Sequence, residues 1–361
     1  MSKNKIDTIF GIFYDIRNFE TVDKDKKLLS QSDDKNPNEL GIGEVRGLRL
    51  ENKSYAAKLI KSTGKEYYIE KLRGPNIIKT YKILENSYKN EKYNLFVMEK
   101  ASLRSLNKMK EKIHNEQIFR YINSPFSDIS GNNLTKYFAR QIIKGLELLE
   151  RNELVHYGIK VENILICSKL ILKISNFSTI INLKEKGNEK FKIPEIINRY
   201  VTPEYFKEEK EIDNIVSKKQ DYFALGYTLF LLKVGYHMMT YKKESEDKLS
   251  EDRIIDLLQR DMARIRSNPL FNKEFVEFVC SLIAYVPEER PSFEEIYRNK
   301  WLNENIEDIV KVNRAFSEIN EYKLLYEFIK SDYIFERQRE IESKKPKKRS
   351  NFKFVKRKKK T

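Results

Sequence analysis

The side chains best equipped for chemistry fall in two short stretches of this 361-residue chain. One is His156-Tyr157-Gly158-Ile159-Lys160-Val161-Glu162-Asn163, and the other is Leu172-Lys173-Ile174-Ser175-Asn176-Phe177-Ser178. They supply an imidazole, the Lys160 ammonium and two amides, Asn163 and Asn176. An amide oxygen is neutral, and a hard cation such as magnesium prefers a charged oxygen. Gly158 has no side chain to offer. Farther upstream, Gly41-Ile42-Gly43-Glu44-Val45 contains a Gly-X-Gly step, which lets backbone approach a phosphate because no Cβ intervenes. An ordinary β-turn explains these glycines about as well.

The elements that must position these groups can be read from periodicity. Residues 1 to 37 mix short apolar stretches with an Asp/Lys/Asn-rich run and read as a loosely ordered lead-in. From Leu40 to Lys61 the pattern suggests strands joined by a turn at Glu51-Asn52-Lys53. An amphipathic helix follows near Glu66–Leu72, Gly74-Pro75-Asn76 breaks it, and Asn94-Leu95-Phe96-Val97-Met98 reads as a buried strand. Beyond that the chain is helical. Leu134, Phe138, Ile142, Gly145, Leu146 and Leu149 form a stripe of helical period. Tyr222 to Val234 is almost wholly apolar and reads as a helix buried on all sides. Phe275 to Trp301 gives two more helices broken at Pro287 and Pro291, and residues 303–341 are amphipathic again.

In this order the pieces resemble the eukaryotic protein kinase fold over roughly residues 38–302. The class implied is α+β: a small β-rich N-lobe (about 38–100) and a larger helical C-lobe (about 101–302). Extra C-terminal helices (303–343) and a basic tail (344–361) follow. The stretch at 156–163 resembles the catalytic-loop motif His-Arg-Asp-Leu-Lys-Pro-Glu-Asn, keeping His156, Lys160 and Asn163. Asn176-Phe177-Ser178 resembles Asp-Phe-Gly, and Thr202-Pro203-Glu204 resembles Ala-Pro-Glu. Asp221 stands where the family's aspartate bonds the catalytic-loop backbone, and Arg290 where its arginine pairs with the Ala-Pro-Glu glutamate, here Glu204.

The nucleotide side is less complete. Tyr55-Ala56-Ala57-Lys58 resembles the Val-Ala-Ile-Lys strand, which makes Lys58 the candidate phosphate holder. Its helix partner is assigned to Glu66, although the count back from Gly74 falls on Lys65, Glu70 serves after a slip, and a solvated helix face explains all three. Val45 would pack on an adenine, and Met98-Glu99-Lys100-Ala101 resembles the gatekeeper and hinge, so Met98, Glu99 and Ala101 join Gly41, Gly43 and Val45 as cofactor-binding candidates. If Gly43 is the third glycine of the phosphate loop, Asn38 and Leu40 occupy the first two places. If Gly41 and Gly43 are the first two, Gly47 comes one residue late.

In the family's mechanism one aspartate accepts the substrate hydroxyl proton and another holds magnesium. Here Gly158 and Asn176 stand in those places, so no catalytic residue set is intact, and Asn163 alone keeps a metal-ligand position. The retained residues His156, Glu204, Asp221 and Arg290 are structural. The resemblance therefore implies a pseudokinase: a protein-interaction scaffold or allosteric regulator with little or no phosphoryl transfer. The ATP site is read either as holding nucleotide without productive Mg2+ or as empty. A divergent Ser/Thr protein kinase and a nucleic-acid-associated protein are the alternatives.

Composition bounds the rest. An apolar fraction of 40% with 34% charged residues is that of a globular chain. No run of 18 apolar residues and no signal-like start occurs, so no transmembrane segment is expected and the location expected is intracellular, nucleus or cytoplasm. Cys167 and Cys280 read as buried thiols, not as a disulfide or metal site. Eleven Lys/Arg and no acid lie between Lys344 and Lys360, so removing them from the net charge of +16 leaves about +5 for the rest. That tail resembles a nuclear-import signal. An import receptor, nucleic-acid phosphates and an anionic membrane are its candidate partners, a solvated disordered tail is the alternative, and an unidentified protein partner is expected for the body.

Overall fold

Apolar side chains crowd Tyr55–Ile60, broken only by Lys58, which suits a strand buried on both faces. In the computed structural model that stretch lies in the third strand of a five-stranded antiparallel sheet. The structure describes residues 28–30, 45–50, 53–62, 67–88, 90–102, 105–107, 131–168, 171–186, 191–192, 202–206, 211–234, 251–268 and 271–304. The sheet comprises β1 (Leu28–Ser30), β2 (Val45–Leu50), β3 (Lys53–Lys61), β4 (Thr80–Tyr88) and β5 (Glu91–Glu99), in the order β1-β2-β3-β5-β4. Its register sets Lys58 opposite Val45 on one side and Phe96 on the other, and Ala56 opposite Met98. A short helix, α1 (Tyr67–Lys71), ends where the Gly74-Pro75-Asn76 break was read.

The larger lobe begins with α2 (Gly131–Arg151), whose Phe138, Ile142, Leu146 and Leu149 are buried as the stripe required. Two short ladders follow. β6 (Leu154–Val155) pairs with β9 (Ile181–Asn182), and β7 (Ile164–Cys167) pairs with β8 (Ile171–Ile174). The turns around these ladders carry both chemical stretches. Helices α3 (Asn214–Val234), α4 (Glu251–Arg266), α5 (Lys273–Leu282), α6 (Phe293–Tyr297) and α7 (Lys300–Asn303) complete the lobe. Residues 220–232 of α3 are all buried, which accounts for the near absence of polar side chains there. Trp301 is fully buried against Phe275 and Phe278 and closes the base of the core.

The lobes are stitched at the break after α1. Ile78 N–H donates to Ile174 O, and Ile174 N–H donates to Asn76 O, both at 2.9 Å. Gly145 makes this possible, because a Cβ there would lie 2.7 Å from Ile174 Cδ1 and 2.9 Å from Asn76 O. The small residue in the α2 stripe is thus a spacing device for β8, and β8 leads straight into Asn176.

One feature differs from the sequence reading. Leu28–Ser30 pairs with β2, so the sheet draws its first strand from the segment read as a loosely ordered lead-in before residue 38. An edge strand needs only extended backbone beside an open edge, and three residues leave no periodic signature. Helix α4 lies in the part read only in general terms as helical, with no span assigned to it. Gly41, Gly43, Glu66, the helical extension from 305 to 343 and the tail 344–361 lie outside the described residues.

Candidate functional site

Lys58 is half-buried on β3, and its Nζ donates to Asn176 Oδ1 at 2.5 Å. The expected partner was a helix glutamate. Glu70 on α1 is exposed and Glu66 lies outside the described residues, so among those residues the lysine meets a neutral amide. A lysine can only donate, which fixes the amide orientation: the Asn176 oxygen faces Lys58 and its nitrogen faces away. That nitrogen donates to Asn163 Oδ1 at 3.0 Å, and Ser178 Oγ donates to the same Asn176 oxygen at 3.1 Å. Asn163 in turn donates from Nδ2 to Gly158 O at 2.7 Å. The two amides and the place of Gly158 form one continuous hydrogen-bonded chain.

Asn176 adopts the left-handed region at φ 64°, which asparagine tolerates better than most residues. This conformation turns its side chain toward Lys58 while Phe177 remains buried, edge-on to the His156 ring at 5.1 Å. Gly158 N–H donates to His156 Nδ1 at 3.1 Å, so the ring proton sits on Nε2 and donates to Ser175 O at 3.0 Å. Burial, with Lys58 and Lys160 adding repulsion against the bond to Ser175, pushes the His156 pKa down to about 4. The imidazole is neutral and structural.

Burial first, and then the charge of Lys160, lower the Lys58 pKa to about 8. Lys160 is therefore close to Lys58 in the electrostatic sense, although it is not bonded to it. Glu99, assigned to the hinge, has its carboxylate committed to Lys173 Nζ at 2.7 Å, and its backbone N–H donates to Lys79 O at 2.9 Å. Met98 at the end of β5 and Ala101 are partly buried, and Val45 faces the same strand as Lys58.

The residues assigned structural roles make the following bonds. Asp221 accepts from the His156 and Tyr157 backbone N–H groups at 2.6 and 2.9 Å. Burial raises its pKa to about 7 against the pull of those two bonds. Arg290 Nη2 donates to Glu204 Oε1 at 2.5 Å, with both side chains almost fully buried. Tyr157, in the place of the family's loop arginine, is buried at φ 56° and shares a 2.6 Å hydrogen bond with Ser217 Oγ. It packs with Val155, Ile181, Leu183 and Ile212, so a charge-receiving position has become apolar core.

Sequence reasoning missed three contributors: Ser178 as a donor to Asn176, Thr179, whose Oγ1 donates to His156 O at 2.8 Å, and Ser217. Single hydroxyls carry no spacing signal. Only the Asp-to-Asn change at 176, which creates a side chain able to accept and donate at once, hinted at such a network.

A twisted antiparallel lobe, a helical lobe hung on a buried central helix, and a loop anchored by Asp221 between them define a protein-kinase-like scaffold. The chain belongs to the protein kinase domain family, which matches residues 45–302. It is 28% identical over 191 residues to serine/threonine-protein kinase ssp1 of Schizosaccharomyces pombe, covering 51% of this chain and 28% of that protein. It is 24% identical over 250 residues to the probable cell cycle serine/threonine-protein kinase CDC5 homolog of Encephalitozoon cuniculi, covering 68% and 46%. With serine/threonine-protein kinase dst2 of Dictyostelium discoideum it shares 23% over 203 residues, covering 54% and 16%. The chain thus spans less than half the length of each of these relatives. Among the described residues, no helix is long and apolar enough to cross a membrane, and Cys167 and Cys280 are buried thiols.

Proposed function

We propose that this chain is a pseudokinase, a kinase scaffold that works through protein contacts as a platform or allosteric partner and transfers little or no phosphate. The observation that carries this reading is the Asn176 amide. It spends its oxygen on Lys58 and Ser178 and its nitrogen on Asn163, where the family's reaction needs a carboxylate on magnesium. The donor set suits a divalent cation poorly. Both side chains at the metal positions are neutral and already bonded to each other, two ammonium groups stand nearby, and no cluster of three His, Cys, Asp or Glu side chains occurs among the described residues.

The missing base points the same way. Loss of a general base costs roughly 10²–10⁴-fold in rate. A carboxylate is also not readily restored at Gly158. A Cβ there would lie 3.2 Å from both His156 Nδ1 and Thr179 Oγ1 and 3.3 Å from Asn163 Nδ2. Meanwhile the parts that hold the C-lobe, Asp221 and the Glu204–Arg290 pair, are fully satisfied. Such a division is what selection for shape without reaction would leave.

Within this reading residues 38–302 are the kinase-like body, 303–343 a helical docking extension, and 344–361 a basic segment for nuclear import or phosphate contact. ATP is the ligand the site's Lys58, Val45 and hinge would hold. The second reading is an active divergent Ser/Thr kinase, and one assay separates the two. Purified protein, radiolabelled ATP, magnesium and a panel of protein acceptors should give labelling no higher than a Lys58→Ala control. Robust labelling that the control abolishes would establish the active kinase instead.

A further inference from the structure

The charges around Lys58 bear on more than the loss of catalysis. Lys58 uses one of its three N–H donors on Asn176, and the other two remain for a ligand. Lys160 is only partly buried, and its charge is felt at both Lys58 and His156. Among the described residues, no acid forms an ion pair with either lysine. Glu99 is held by Lys173, and Asp221 is held by the backbone N–H groups of His156 and Tyr157. Glu162 makes no ion pair with either lysine, and its Oε2 has no hydrogen-bond partner. On the remaining sides the neighbours in register are Val45 and Phe96, which carry no charge. The described part of the site is thus a pair of ammonium groups beside two neutral amides.

We propose that this site takes a polyphosphate anion free of divalent metal, so that Mg2+ weakens nucleotide binding instead of supporting it. The inference rests on the pseudokinase reading and gives its nucleotide site a sign. In an ordinary kinase the carboxylate offsets the lysine, and the bound cation supplies the positive charge that gathers the phosphates. Here the protein itself supplies that positive charge. A bound Mg2+ would be repelled by Lys58 and Lys160 and would find Asn176 and Asn163 already bonded to each other. It would also cancel part of the ligand charge that the lysines attract. The charged nucleotide alone is the better match.

The test is calorimetric titration of the full chain with ATP in EDTA and in excess MgCl2, with inorganic tripolyphosphate and adenosine as partial ligands. ATP should bind at least roughly tenfold more tightly in EDTA, about 1.4 kcal/mol, and tripolyphosphate should compete with it. Lys160→Met, at a partly exposed position, should weaken binding in EDTA by roughly tenfold. Asn176→Asp places a carboxylate beside Lys58 and should reverse the direction of the Mg2+ effect. Thermal melting of each variant confirms that it folds, and the wild-type titrations stand without them. Equal or tighter binding of ATP in Mg2+ would overturn the proposal, as would no binding of ATP or tripolyphosphate at millimolar concentration. Tighter binding in Mg2+ with no phosphoryl transfer would remove this inference and leave the pseudokinase reading intact, whereas transfer lost in Lys58→Ala would remove that reading.

Discussion

Breaking the buried Glu204–Arg290 pair should cost far more than the pair is worth. Arg290 donates from Nη2 to Glu204 Oε1 at 2.5 Å and to Tyr285 O at 3.3 Å, from Nε to Ala284 O at 2.9 Å, and from Nη1 to Lys219 O at 3.4 Å. Its guanidinium also lies 4.8 Å from the centre of the Phe223 ring. Burial lowers the Arg290 pKa despite the carboxylate beside it, a sign that desolvation is the larger cost. Replacing such a pair with apolar residues is often neutral, but removing one partner strands a buried charge at about 3–5 kcal/mol. Arg290→Met leaves Glu204 with Gln220 Nε2, 3.1 Å away, as its remaining donor. A loss of about 3–5 kcal/mol is therefore expected, against a domain stability of about 5–15 kcal/mol. The double variant Glu204→Leu/Arg290→Met should recover about 2 kcal/mol or more of the summed single losses. Equilibrium urea unfolding of the wild type, both single variants and the double variant measures this coupling directly. A loss under about 1 kcal/mol for Arg290→Met, or strictly additive losses, would refute the view that the pair is a coupled anchor of the C-lobe.

Three further outcomes are expected. Gly158→Asp alone should leave phosphoryl transfer at background, because its Cβ would enter 3.2 Å contacts with His156 Nδ1 and Thr179 Oγ1; restored turnover in a radiolabel assay would show that the loop still accommodates a base. His156 has a folded pKa of about 4 against an ordinary 6.5, so its stabilisation is complete above pH 6.5 and is lost as pH falls toward 4. The stability advantage of the wild type over His156→Gln should accordingly shrink by about 2–3 kcal/mol between pH 7 and pH 4.5, read by urea unfolding, and a constant difference would contradict it. A fluorescent fusion truncated after Ser343 should lose nuclear enrichment, and unchanged enrichment would dispose of an import role for the eleven basic residues between Lys344 and Lys360.

Much of this fold was legible because its signals were either periodic or chemically scarce. The α2 stripe, the apolar run of α3 and the breaks at Gly74-Pro75 and Pro287 each follow from a local rule. The Asp221 and Arg290 anchors were legible through motif order, and the structure gives them bonds that local pattern alone does not reveal. Less legible was whatever depends on a partner distant in sequence. The glutamate assigned to Lys58, Glu66, lies outside the described residues, and the partner seen among those residues is Asn176, 118 residues away. Nothing near Lys58 announces that, because the acceptor is created by a substitution in another lobe. The span of helix α4 escaped because its charged, strongly amphipathic sequence resembles a solvated surface, although Ile254, Leu258 and Ile265 are buried. β1 escaped because three residues carry no period.

The central claim is that amides bonded to one another and to Lys58 occupy the place where this family gathers its metal. Anomalous scattering at the manganese edge, from crystals holding a non-hydrolysable ATP analogue and Mn2+, tests it most directly. The account predicts no manganese coordinated by Asn163 or Asn176, with the hydrogen bond between those side chains kept. A manganese peak bridging either amide oxygen to the phosphates would contradict it.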